Sequence, residues 1–426
     1  MEFYNPSEKI RRMRKKFRVN QAALEGINMT RAFISMMESG KRNVSKASSK
    51  HLAERFNEIA KRISVNLNLD DEYFSRQPEE DARYYIENEL KEENNHKKLE
   101  ELIDVARGYE LNDLLAKLYR LDADKYVNEK NYGNAFKSFS NALGKYKELK
   151  DEEAQPYIYN AIGVCKSRRN EHEEAIFYFK QALLYAREKK DSIYYFRANL
   201  NLAISYFHSK QYEKSINILN DNIIANKEEV EYSILTDARI IRANVLHETD
   251  RKNEAINEYL KLVEDIKGKD DIMLAYSYNN LGEYYYNIGK YQESLHYISE
   301  AQRLKNKVSK DTLANTLNTK GKVFYKQGMY DESIMIFELA ISMAEQYQQF
   351  DMLLMNYRDL IKVYESNDDF VKIEEHMNRL LETLDDNKIE IGKSYALYKL
   401  IEVAVKQNDS NKAITFLNRL QTLLVN

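Results

Sequence analysis

The side chains that most often do chemistry are scattered through this chain without the spacings that catalysis or metal binding needs. Its 7 histidines are His51, His96, His172, His208, His247, His296 and His376, and no two fall at the separation that lets one helical face share a zinc ion. No phosphate-cradling glycine loop or dinucleotide fingerprint occurs. The single cysteine, Cys165, has no partner for an internal disulfide and sits beside Gly163 in a helical run, which predicts a packed thiol. Glu173-Glu174 and Asp368-Asp369 fall where helices start or turn, where carboxylates offset exposed N–H groups. The expectation is a protein that binds and does not catalyse, with no metal and no cofactor.

Charge shows where binding would occur. The whole chain of 426 residues carries a net charge of -3, yet Ser7 to Arg62 holds 15 Lys and Arg against 5 Asp and Glu, a net of +10. The remainder is therefore acidic, at -13. A compact basic segment on an acidic body suits a polyanion, because neutralising phosphates and releasing their counterions drives nucleic-acid affinity.

The elements that carry this segment are short helices. Glu8 to Phe17 has Ile10, Met13 and Phe17 on one face. Asn20 caps a second predicted helix beginning at Gln21 and ended by Gly26. Thr30 caps a third, to about Glu38, closed by Gly40. A fourth runs from about Lys46 to Ile63, and a short fifth is expected near Asp70 to Phe74. Pro78, followed by Glu79, Glu80 and Asp81, reads as a new helix start, so the first domain is expected to end near residue 75.

Asn20-Gln21-Ala22-Ala23-Leu24, then Met29-Thr30-Arg31-Ala32-Phe33-Ile34-Ser35-Met36-Met37-Glu38-Ser39-Gly40-Lys41-Arg42, resembles the phage-repressor type of helix-turn-helix. The resemblance implies that the helix opened by Thr30 is the recognition helix, with Ala23, Ile34 and Met37 packing inside. Arg31, Ala32 and Ser35 would face bases and Phe33 a thymine methyl, while Gln21, Lys41 and Arg42 would hold phosphates of double-stranded DNA.

Beyond residue 115 the sequence repeats. Small residues at Ala135, Ala175, Ser215, Ala255, Ser294, Ser333 and Ala413, with Ile373 filling the one gap, recur every 39 or 40 residues. Twelve positions before the anchor stand Gly163, Ala203, Ala243, Gly282 and Gly321, so that paired helices can approach closely. Phe139, Phe179, Tyr259 and Phe337 fall four positions after it. The units resemble tetratricopeptide repeats. The expected fold is all-α: a repressor-like domain over residues 1–75, linking or capping helices over 76–115, and a right-handed superhelix of about eight repeats over 116–426.

Asparagine forms helices poorly, so its recurrence on the first helices asks for a reason. Asn160, Asn279 and Asn318 share one register position, Asn201 and Asn280 the next, with Arg197, Asn244, Tyr276, Asn315 and Lys322 nearby. An amide offers both a donor and an acceptor, so a row of them would suit an extended peptide. These ten residues are the expected peptide site.

A repressor-type domain followed by such repeats looks like the peptide-pheromone receptors of low-GC Gram-positive bacteria, the Rap, Rgg, NprR, PlcR and PrgX group. The resemblance implies a cytoplasmic homodimer whose affinity for operator DNA is set by a short imported peptide. Some members act on response-regulator proteins, the Rap phosphatases through a glutamine in their N-terminal helices; residues 78–130 here contain no Gln. The N-terminus lacks the apolar core of a secretory signal, and no run of residues is apolar enough for a membrane span, which also points to the cytoplasm.

Overall fold

A computed structural model describes residues 1–92 and 94–425. Its helices are α1 (Pro6–Lys16), α2 (Arg31–Glu38), α3 (Lys46–Arg62), α4 (Pro78–Glu89), α5 (His96–Gly108), α6 (Asn112–Asn128), α7 (Tyr132–Glu148), α8 (Gln155–Arg168), α9 (His172–Lys189), α10 (Ser192–His208) and α11 (Tyr212–Ile218). After them come α12 (Tyr232–Glu248), α13 (Lys252–Ile266), α14 (Asp271–Asn287), α15 (Tyr291–Val308), α16 (Leu313–Lys326), α17 (Tyr330–Gln346), α18 (Phe350–Ser366), α19 (Phe370–Asp386), α20 (Lys393–Lys406) and α21 (Ser410–Val425). Among the described residues there is no strand, only an isolated bridge between Gly26 and Met29. The fold class is all-α, as the composition implied. The chain forms two compact units, Met1–Glu231 and Tyr232–Asn426.

The first unit opens on a small core of its own. Ile10, Leu24, Ile34, Met37, Leu52, Phe56 and Phe74 are fully buried there, with the Phe56 ring packed against Phe17 and Phe74. Asn20 does cap a helical start, accepting from the Ala23 N–H, but the element it opens is a single 3₁₀ turn, Gln21–Leu24, in place of the expected second helix. The reason is non-local. Gly26 is no left-handed stop: the His51 ring occupies the place where its Cβ would be, and the His51 Nε2 lies 3.0 Å from the Leu24 carbonyl. α3 therefore fixes where the chain must leave the helical path. The expected fifth helix is likewise only a turn, held because the Phe74 N–H donates to Ser49 Oγ at 2.9 Å. Gly40 closes α2 at φ +74°, and α4 begins at Pro78, as expected from sequence.

From α6 onward the helices pair as antiparallel hairpins in the predicted register. At Gly163, Gly282 and Gly321 an added Cβ would lie 2.5, 2.5 and 2.7 Å from the side chains of Phe179, Ile298 and Phe337, so the aromatic or branched residue of the second helix seats directly on the glycine of the first. The serine anchors add a hydrogen bond: Ser215, Ser294 and Ser333 donate to the carbonyls of Ala203, Gly282 and Gly321 at 2.8, 2.7 and 2.9 Å. Ile373 replaces the small anchor in the α18–α19 pair and is buried among Tyr357, Leu360 and Leu380. The α10–α11 pair is irregular, because α11 gives way to a π turn at Leu219–Ile223. We expect Ser333→Ala to lower stability by about 0.5–1.5 kcal/mol, the worth of one such bond, read as a lower urea midpoint at unchanged slope.

Candidate functional site

At the N-terminus the basic segment carries α2, whose first residues are exposed. Thr30 Oγ1 accepts from the Phe33 N–H at 3.3 Å, and the Arg31 N–H donates to Glu25 Oε1 at 2.9 Å, so two of the first-turn donors are satisfied. That start leaves Arg31, Ala32 and Ser35 exposed on one face, while Ile34 and Met37 enter the core. Ala23 is half-buried beside them. Lys41 and Arg42 follow the helix and are exposed, each donating its backbone N–H to the Met36 carbonyl. Among the described residues, Lys15, Lys16, Arg18, Arg31, Lys41, Lys61 and Arg62 have no carboxylate partner. Their charge is not neutralised within the molecule.

Two of the singled-out residues are engaged internally. The Gln21 amide donates to Glu38 Oε2 at 2.8 Å, and Arg14 pairs with the same carboxylate at 2.8 Å. Burial works against that charge, yet the Arg14 and Gln21 contacts outweigh it and hold the Glu38 carboxyl below its ordinary value. Gln21 thus locks the start of its turn to the end of α2. Phe33 is half-buried, with the Arg42 guanidinium 4.3 Å from its ring centroid.

The asparagines of the first helices are joined across repeats. Asn201 donates to Asn160 Oδ1 at 3.0 Å in the first unit, where Arg197 is exposed and lies 3.6 Å from Glu231. In the second unit Asn244 Oδ1 accepts from the Tyr259 and Tyr284 hydroxyls at 3.0 and 2.6 Å, and Asn280 donates to Tyr259 at 2.7 Å. Asn279 accepts from Thr316 at 2.7 Å, and Asn318 donates to Asn356 and Asp359, both at 3.1 Å. Asn160, Asn279 and Asn318 are buried, and Lys322 sits 3.5 Å from Asp359. Each of these amides reaches a neighbouring repeat, 21 to 41 residues away in sequence, so the repetition has a structural cause: polar links between layers of the stack.

Four of these residues are nevertheless brought together around a cavity of about 610 Å³ in the second unit. Tyr276, Asn279 and Asn280 of α14 and Asn315 of α16 line it with Lys305 of α15 and Gln349, Phe350 and Met352 at the start of α18. Sequence reasoning missed Lys305. The signal was present, because Lys305 lies on the same helical face as Ser294, Ile298 and Ala301.

Tetratricopeptide-repeat family models match residues 156–189, 271–346 and 395–423. The hairpins are tetratricopeptide-like repeats. A curated relative, response regulator aspartate phosphatase E of Bacillus subtilis (strain 168), is 26% identical over 258 residues, covering 59% of this chain. The match spans 65% of that relative's length. The apo form of the quorum sensor NprR from B. thuringiensis shares 16% identity at a TM-score of 0.51, covering 82% of this chain and 100% of that one. A signal-transduction ATPase with a tetratricopeptide repeat sensor from Pyrococcus horikoshii shares 14% at 0.54, covering 99% and 72%. These structures share the repeat fold. No helix among the described residues is long and apolar enough to cross a membrane.

Proposed function

We propose that this chain is a cytoplasmic regulator of transcription that binds operator DNA through its N-terminal module, as a homodimer, and is switched by a short peptide held in its tetratricopeptide repeats. The observation that carries this reading is the exposed Arg31, Ala32 and Ser35 face at the start of α2, within a segment of net charge +10. A helix N-terminus with side chains of this reach suits the major groove, and the unpaired lysines and arginines of the same segment suit the phosphates. Residues 1–75 would be the reading domain, residues 76–115 its connection, and the repeats the sensor. The module needs no catalytic group: peptide binding would favour one arrangement of the chain over another and so change operator affinity.

A selection from random double-stranded DNA by the full chain tests the DNA half. The reading expects convergence on paired half-sites about 10 bp, or a multiple of one helical turn, apart. Recovery of unrelated sequences, held only at low salt, would leave nonspecific charge as the explanation and sink it.

A second reading, that the chain is a partner of a response-regulator protein, draws its support from the 26% match to a response regulator aspartate phosphatase. It predicts that the chain binds a phosphorylated response regulator and that the Arg31 face is irrelevant to its role.

A further inference from the structure

Lys305 is a cation at a position where the repeat register calls for an apolar side chain. It stands eleven residues after the anchor Ser294. At that offset the other units place Tyr146, Ala186, Ile266, Ala344 and Leu384, all buried, apart from Asn226 after the π turn of the irregular pair. Lys305 is 1% exposed. Its ammonium donates to the Thr312 carbonyl at 3.3 Å and lies 5.1 Å from the Tyr276 ring centroid, and among the described residues no carboxylate pairs with it. Burial pushes the ammonium down to about 8, with the charge of Asp311 acting the other way.

An ammonium has three donors, so one carbonyl leaves it short of acceptors and of a counter-charge in a place where both are costly to lack. The cavity it lines supplies what a small anionic ligand with a polar backbone would meet. Asn279 spends its carbonyl on Thr316 and so keeps an NH₂ for the ligand, whereas Asn280 gives its NH₂ to Tyr259 and keeps a carbonyl. Tyr276, Phe350 and Met352 offer apolar surface beside them. Asp351 on the rim disfavours the second charge of a phosphate.

We propose that this cavity receives the C-terminal residue of a peptide, its free carboxylate paired with Lys305, its backbone held by the Asn279 and Asn280 amides, and its side chain against Phe350 and Met352. The inference rests on the peptide reading above and names the end of the peptide that is recognised.

The test exposes the full chain to two matched pools of N-acetylated random hexapeptides, one with a free C-terminal carboxylate and one C-terminally amidated, and identifies retained peptides by mass spectrometry. The free acids should be retained on the order of 10-fold better than the amides, as a charge-assisted contact warrants. Lys305→Met should erase that preference, and Lys305→Arg should keep part of it. Because Lys305→Met removes an unpaired buried charge, its Tm should not fall. If it does not fold, Lys305→Gln, which keeps a donor for Thr312, gives the same reading. Equal retention of acids and amides, or an acid preference untouched in Lys305→Met or Lys305→Gln, overturns the carboxylate site while leaving peptide binding standing. Retention of neither pool overturns the peptide reading, and the carboxylate site with it.

Discussion

Arg31→Ala should weaken binding of the full chain to its selected duplex by roughly 10- to 100-fold, the ~1–3 kcal/mol that one good base-reading side chain supplies. Its stability should stay within about 0.5 kcal/mol of the parent's, as for other exposed positions without partners. Arg31 is the first residue of α2, its side chain is exposed, and no carboxylate among the described residues competes for the guanidinium. Only its backbone N–H is engaged, by Glu25, and alanine keeps that bond. Lys41→Ala makes the contrast. A lysine on a phosphate weakens all duplexes alike and reduces the dependence on salt by about one ion, without relaxing sequence preference. Competition gel shifts with selected and scrambled duplexes at several salt concentrations separate the two. If Arg31→Ala behaves like Lys41→Ala, α2 does not read bases.

Asp81→Ala should cost about 3–5 kcal/mol and act on the whole N-terminal module, because it leaves the buried Lys9 ammonium without a counter-charge and takes one of two carboxylates from the half-buried Arg76. Asp81, on α4, is 6% exposed and pairs with Lys9 of α1, itself 3% exposed, and with Arg76 at 2.8 Å. Lys9 also donates to the carbonyls of Tyr73 and Arg76 at 2.8 and 2.7 Å, and Arg76 reaches Asp70 at 2.6 Å. Burial pulls the Lys9 ammonium below its ordinary value, and the Asp81 contact only partly restores it. Among the described residues Asp81 is the sole carboxylate paired with Lys9, so its loss strands the charge. The network fastens α1 to α4, the first helix of the connecting segment. Asp81→Ala should therefore lose DNA affinity through loosening of the module, with urea unfolding showing an early transition. The pair Lys9→Met with Asp81→Leu, which removes both charges, should recover most of the stability. A single unshifted transition in Asp81→Ala would show that the network carries no such weight.

How much of this was readable beforehand depended on how local the cause was. The repeat register was legible because Gly163, Gly282 and Gly321 each meet a side chain sixteen positions later, in the next helix of the same hairpin. The cap at Asn20 was legible for the same reason: its partner, the Ala23 N–H, is three residues away. The length of the element it opens was not, since the stop at Gly26 is imposed by His51 on a different helix. The asparagines were noticed, but each has a partner 21 to 41 residues off in the neighbouring repeat, and a sequence cannot show whether an amide faces a ligand or the next layer. Gln21 illustrates the same limit, because its amide is claimed by Glu38, seventeen residues on at the end of α2. Lys305 was within reach, since lining up the repeats places it among tyrosine, alanine, isoleucine and leucine.

The proposed function couples the two ends of the chain, and one titration measures that coupling. The affinity of the full chain for its selected duplex is measured with and without a saturating amount of the free-acid hexapeptides it retains. The proposed switch predicts a change of about 5- to 150-fold in either direction, the usual span of a coupling free energy of ~1–3 kcal/mol. Peptides that bind while leaving duplex affinity unchanged would contradict it.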